Sequence, residues 1–498
     1  MSKASNLSIH TIATGVPGFD VVLGGGLPEN SFNLVAGGAG SGKTTLVLQT
    51  LFTNATAKRP ALYFTVLGEP TLKMIRYQRQ FSYFKPDMVG SALQFVNLSD
   101  QVLKNNLDLV LERIHSEVER ARPGIIAVDS FRPIGKKIGE LPSSQSLDLE
   151  HFIQRLAVDL TSSEVTSFLI GEYAEEEAHN PVFTVADGVF WMRQVTDRNS
   201  VVRKMQIVKV RGHESMPGLH TFRITDDGVQ VFPRIPQQQH SRRTQSFERI
   251  GTGVPGLDDM MGGGIPVGDV VMLAGPAGSG KTTFASQFVG EGLRQGESAV
   301  IAIFEEYPEE YMGRAKYRNG DLEKKLKSGK LRLLYLRPLD LSVDETLHEI
   351  LEAVNEVGAT RVVIDSLSGF EIALAPAFRE DFRESLYRLV GALTATGVTV
   401  FTTAETTGTY PEVSFTSEKV SFITDDIIVQ RYVEVNGEII TVLSIMKMRG
   451  SEHSREFLMY QISKNGAVVG GPLMGYHGIM TGVPTPVAQL ESAAKVQG

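Results

Sequence analysis

The chain has 498 residues, 42% apolar and 21% charged, with one Trp, no Cys and a formal net charge of −8. That length is too great for one hydrophobic core and by itself points to about three domains. The balance excludes a disordered chain, no apolar run approaches the ~20 residues of a membrane helix, and without cysteine there is no disulfide, thiol nucleophile or thiolate metal site.

The acidic average gives the whole chain no electrostatic footprint for nucleic acid. The opening segment MSKASNLSIHTIATGV lacks the charged-then-apolar pattern of a secretory signal, so a cytoplasmic location is expected.

In chain order, residues 14–45 read TGVPGFDVVLGGGLPENSFNLVAGGAGSGKTT. Within them GGAGSGKT (37–44) satisfies GxxxxGK[ST]. Its glycines let backbone N–H groups turn inward around phosphate oxygens, and the following helix aims its N-terminal dipole at them. The candidate binding residues are Gly40, Ser41, Gly42, Lys43, Thr44 and Thr45, with Lys43 reaching the β- and γ-phosphates and Thr44 helping to hold Mg²⁺. LVLQTLFTNA, directly after the loop, has helical spacing. The apolar run GIIAVDS ends in Asp129, the expected second metal-side group, and VKVRGHE (208–214) carries Lys209 and Arg211. The polar, Pro-bearing stretch PRIPQQQHSRRTQS (233–246) reads as a linker.

Residues 252–283 then read TGVPGLDDMMGGGIPVGDVVMLAGPAGSGKTT, identical to 14–45 at 19 of 32 ungapped positions. The offset of 238 returns far downstream, where VKVRGHE meets MKMRGSE (446–452), so a whole domain is duplicated. The second loop offers Gly278, Ser279, Gly280, Lys281, Thr282 and Thr283, and RVVIDS offers Asp365 as the metal-side partner of Thr282. DVVMLAG, SAVIAIF, RVVIDS, VTVFTTA and EIITVLSIMKM read as strands, and FASQFVGEGLRQ as a helix. Apolar strands alternating with helices predict an α/β fold, two tandem P-loop domains, each a mostly parallel sheet flanked by helices. The expected boundaries are 1–232 and 248–470, a linker over 233–247, and a tail over 471–498 that has no counterpart in the first copy.

One difference separates the copies. AVIAIFEEYP (299–308) carries Glu305 and Glu306, where ALYFTVLGEP (61–70) has Leu67 and Gly68. Nucleotide hydrolysis needs a carboxylate to orient and polarise the attacking water, although two acids at a strand exit can equally be solvated surface.

The tandem GxxGSGKTT loops, the GGG(L/I)P segments, FEEYP, the two K-x-R-G motifs, SEKVSFITDDIIVQRYVEVNGE (417–438) and HGIMTGVPTP (477–486) together resemble the KaiC family of RecA-type ATPases. The resemblance implies a two-tiered homohexamer with ATP and Mg²⁺ between neighbouring subunits. It implies that Glu305 and Glu306 serve hydrolysis or serine/threonine autophosphorylation. Lys209, Arg211, Lys447 and Arg449 would reach the neighbour's nucleotide, and a small KaiB-like protein would bind the first ring. Two departures follow. The first copy lacks the acid pair, with Glu69 displaced by one place and Glu172 as a further candidate, so its ring is expected to bind nucleotide and hydrolyse it poorly. The family's adjacent phosphoacceptor pair is here Ser421 and Phe422, leaving Ser421 alone to accept phosphate. Two alternatives stay open. A DNA-dependent ATPase with this core would want a basic DNA-facing loop, and only Arg242–Arg243 in the linker offers a basic cluster. A nucleotide-gated scaffold would bind without turnover, against which Glu305 and Glu306 argue.

Overall fold

The computed structural model describes residues 9–66, 71–103, 107–129, 146–173, 181–197, 200–234, 248–316, 322–336, 342–374, 382–406, 423–481 and 484–486. The chain forms two compact units, Met1–Arg234 and Ile235–Gly498.

The sheet of the first unit contains β1 (Phe32–Gly37), β2 (Ala61–Thr65), β3 (Leu93–Asn97), β4 (Ile125–Asp129), β5 (Thr166–Glu172), β6 (Gly188–Asp197), β7 (Ser200–Val210), β8 (Leu219–Thr225) and β9 (Gly228–Phe232). Their order is β3-β2-β4-β5-β1-β6-β7-β8-β9. The second unit repeats it with β10 (Val270–Gly275), β11 (Ala299–Ile303), β12 (Leu331–Tyr335), β13 (Arg361–Asp365), β14 (Thr399–Glu405), β15 (Asp426–Val435), β16 (Glu438–Met448), β17 (Leu458–Ser463) and β18 (Gly466–Pro472), in the order β12-β11-β13-β14-β10-β15-β16-β17-β18. In each sheet the first six strands of that order are parallel, and the last three join them by antiparallel pairing. These are two tandem RecA-like α/β domains. The antiparallel extension was not legible as such, and it is where both K-x-R-G motifs lie.

The parallel strands are apolar throughout because both of their faces are covered. Along β10, Val270, Met272 and Ala274 point into one buried cluster, and Val271 and Leu273 into the cluster on the other face. Fully burying one such side chain stabilises by roughly 1.5–3 kcal/mol. The helices after the phosphate loops are α1 (Lys43–Asn54) and α2 (Lys281–Arg294). Each begins at a left-handed glycine, Gly42 at φ 96° and Gly280 at φ 92°. It is this positive φ that favours glycine at both positions, since the nearest atoms to an added Cβ, the Cδ1 methyls of Ile224 and Ile462, could turn aside.

Part of the predicted tail belongs to the second sheet, since β18 continues to Pro472. Beyond it, Tyr476–His477 pairs with Thr485–Pro486, Ile479 packs on Val433 and Val442, and Arg431 donates to the Met480 carbonyl at 2.7 Å. Among the described residues no helix is long and apolar enough to cross a membrane.

Candidate functional site

In the second unit β10 ends at Gly275, the loop 275–280 turns, and α2 starts at Lys281. The loop is anchored from β15 and from the extension, because Ser279 Oγ donates to Gln430 Oε1 at 2.8 Å and Tyr460 OH donates to the Ser279 carbonyl at 2.8 Å. Lys281 Nζ donates to the Gly275 and Pro276 carbonyls, both at 2.9 Å, which keeps the ammonium in the mouth of the loop. Burial lowers its pKa, opposed by the charges of Glu405, Asp365 and Glu305.

Around this loop lies a cleft of about 420 Å³ whose lining includes Lys281, Thr282, Glu305, Glu306, Asp365 and Glu405. The parallel register explains the convergence. Asp365 ends β13, which lies beside β11, so the residues just beyond Ile303 meet the Asp365 carboxylate. Ser366 connects them. Its hydroxyl caps the helix α3 (Leu367–Ala373) by accepting from Gly369 N at 2.9 Å and donates to Glu305 Oε1 at 2.6 Å. Glu305 is exposed and Glu306 half-buried. Thr282 and Thr403 both hydrogen-bond Asp365, whose pKa is raised by desolvation against these two contacts.

The first unit places Lys43, Thr44 and Asp129 alike. Lys43 Nζ donates to the carbonyls of Gly37 at 3.0 Å and Gly38 at 2.7 Å, and Thr44 Oγ1 donates to Asp129 Oδ2 at 2.8 Å. Burial again lowers the lysine pKa, here against Glu172 and Asp129. Asp129 is shifted up by desolvation, partly offset by hydrogen bonds from Tyr63 and Thr44. Leu67, Gly68, Glu69, Ser421 and Phe422 lie outside the described residues.

Each site pairs one threonine hydroxyl with one carboxylate, hard oxygen donors beside a phosphate loop. That set suits Mg²⁺, which binds through one or two carboxylates and substrate phosphates. The sequence reading passed over Glu405, which ends β14 opposite Gly275 just as Glu172 ends β5 opposite Gly37. Both are the acid closing an apolar strand, the same local signal that revealed Asp129 and Asp365.

The K-x-R-G residues stand elsewhere. Lys209 Nζ donates to the Thr184 carbonyl at 3.0 Å and Lys447 Nζ to the Thr424 carbonyl at 2.5 Å. Arg211 pairs with Asp187 at 3.0 Å and Arg449 with Asp425 at 3.2 Å, both arginines well exposed. Their strands end where β6 and β15 begin, level with Asn33 and Val271 at the start of the phosphate-loop strands. The four residue steps from Val271 to Gly275 span roughly 13 Å, so these cations lie at the opposite end of the strands from their own loop.

Two RecA-like domains, each with a phosphate loop and a hydrogen-bonded Thr–Asp pair beside it, define a tandem P-loop nucleotide-binding protein. The family model "ATPase: KaiC" matches twice, over residues 12–235 and 250–473. The chain is similar to the circadian clock oscillator protein KaiC of Rippkaea orientalis, 30% identical over 488 residues that cover 96% of this chain and 92% of the relative. It is likewise similar to the circadian clock oscillator protein KaiC 1 of Synechocystis sp., 30% identical over 495 residues, 96% of this chain and 93% of the relative. The chain belongs to the KaiC family of ATPases.

Proposed function

We propose that the protein is an ATP-hydrolysing homohexamer whose second domain also phosphorylates its own chain, the two activities together forming a nucleotide- and phosphate-dependent switch. What carries this reading is the cleft in which Lys281, Thr282 and Asp365 meet Glu305 and Glu306. Thr44 with Asp129, and Thr282 with Asp365, would hold Mg²⁺, which would offset charge on the phosphates. Lys43 and Lys281 would bind the β- and γ-phosphates, and Glu305, steadied by Ser366, would orient the attacking oxygen and take its proton. When that oxygen belongs to water the reaction is hydrolysis. When it is the Ser421 hydroxyl, the Oγ–P bond forms, the bond from the γ-phosphorus to the bridging oxygen breaks, ADP leaves and the proton goes to Glu305.

The test is direct. Incubated with ATP and Mg²⁺, the purified chain should carry phosphate on Ser421 by mass spectrometry, and Glu305→Gln should lose it. Phosphate found only on Thr424 or Ser417, or on no residue, would remove the autokinase assignment and leave an ATPase.

The hexamer rests on where Lys209, Arg211, Lys447 and Arg449 sit. Cations at the far end of the strands cannot serve their own nucleotide, whereas a neighbour's phosphate loop brought against that end would meet them. Arg211→Ala and Arg449→Ala should therefore reduce turnover or assembly, with little loss of thermal stability for Arg211, whose partner Asp187 is partly exposed, and more for Arg449, whose partner Asp425 is buried. A chain that stays monomeric by light scattering in ATP and Mg²⁺ contradicts this assembly. The small partner implied for the first ring, of the KaiB kind, belongs to the same proposal, as does a cytoplasmic location.

A further inference from the structure

The two metal-side carboxylates are built alike but supported differently. In the first domain Tyr63, on β2, is fully buried against Phe95 and its phenol donates to Asp129 Oδ2 at 2.5 Å, the oxygen that also accepts from Thr44. On the other side Asp129 faces Ile170 of β5, which offers no donor. In the second domain the arrangement is reversed. The residue in the place of Tyr63 is Ile301 on β11, and the hydroxyl comes from the opposite neighbour, Thr403 of β14, which donates to Asp365 Oδ1 at 2.5 Å. Thr403 is itself fully buried. Each domain thus supplies one hydroxyl to its carboxylate from a flanking strand and fills the other flank with isoleucine.

Neither hydroxyl is a packing accident. A phenol or threonine hydroxyl in a closed sheet interior costs free energy unless it is hydrogen-bonded, and an isoleucine already fills the matching place in the other domain. A carboxylate on a strand end can rotate about its Cα–Cβ and Cβ–Cγ bonds. A second buried donor removes that freedom and fixes which oxygen faces the loop.

We propose that Tyr63 and Thr403 are positioning residues that orient Asp129 and Asp365 toward the metal ion of a bound nucleotide, each acting only in its own domain. The inference rests on the nucleotide- and Mg²⁺-binding reading above. Outer-shell partners of metal ligands typically change metal affinity 10–100-fold when removed.

The test uses the full chain and a fluorescent ATP analogue titrated with Mg²⁺. A Lys281→Ala background reports the first domain and a Lys43→Ala background the second. Tyr63→Phe should raise the half-saturating Mg²⁺ of the first domain about tenfold and leave the second unchanged, and Thr403→Val should do the reverse. Adding Ile170→Thr to Tyr63→Phe puts a hydroxyl on the flank that Thr403 uses and should recover most of the loss. A general packing defect would instead weaken nucleotide binding equally with and without Mg²⁺. That result, or an unchanged Mg²⁺ requirement in both variants, overturns the assignment. Failure of the parent chain to need Mg²⁺ at all is a different outcome, because it removes the nucleotide–metal reading itself.

Discussion

Replacing Glu305 and Glu306 together by Gln should lower ATP turnover by the intact chain about 100-fold or more, a barrier increase of roughly 3 kcal/mol, while nucleotide binding stays near the parent value. The substitution keeps shape and removes only the negative charge that polarises the attacking water. Lys281, Thr282 and Asp365, which would contact phosphate and metal, are untouched, so a binding assay separates lost chemistry from lost affinity. Glu305 should carry most of the effect, since Ser366 donates to it at 2.6 Å and fixes its carboxylate in the cleft. The expectation further requires that the first domain contribute little turnover. If the double variant keeps near-parental steady-state ATPase activity, the first domain is the working ATPase, with Glu69 or Glu172 as its carboxylate.

The features legible in the sequence were those whose chemistry is local. GxxxxGKT dictates a strand, a glycine turn and a helix within a dozen residues, so both loops and their lysines could be read at once. Asp129 and Asp365 were visible because an acid closing an apolar strand has no packing reason to be there. Tyr63 was not, because an aromatic in the apolar run ALYFT reads as core and its phenol acquires a purpose only when β4 is laid beside β2. Thr403 was hidden in the same way inside VTVFTTA, where threonine is an ordinary strand former. The antiparallel extension escaped for a different reason. Strand direction is set by long-range pairing, and the runs from 188 to 232 look alike whether they join parallel or antiparallel. Glu405 closes the apolar run VTVFTTAE as Asp365 closes RVVIDS, so the same local signal marks it.

A large pH effect on stability should come from Asp426, which lies in the 417–438 segment but in neither nucleotide cleft. It is fully buried at the start of β15, and neither carboxyl oxygen makes a hydrogen bond of good geometry to the described residues. In the first domain the matching position is Gly188, where an added Cβ would lie 2.2 Å from Asn33 Oδ1, so the amide of Asn33 fills the space that the Asp426 side chain takes in the second. Burial, then the charges of Asp269 and Asp425, push the Asp426 carboxyl up to about 7, and the Arg449 backbone amide and the Arg249 charge offset this only in part. Because the folded pKa lies above the unfolded value of 3.8, the folded state holds the proton more tightly. The group is therefore harmless below about pH 4, and its penalty grows as pH rises, to about 1.5 kcal/mol at pH 5 and about 4 kcal/mol above pH 7. Asp426→Asn keeps the shape and cannot ionise, so its stability relative to the parent should improve by about 3 kcal/mol between pH 5 and pH 8. Urea denaturation of both chains at the two pH values measures that difference directly. A stability gap between Asn and Asp that stays constant across the range would mean that Asp426 is already ionised in the fold at pH 5, and would overturn this expectation.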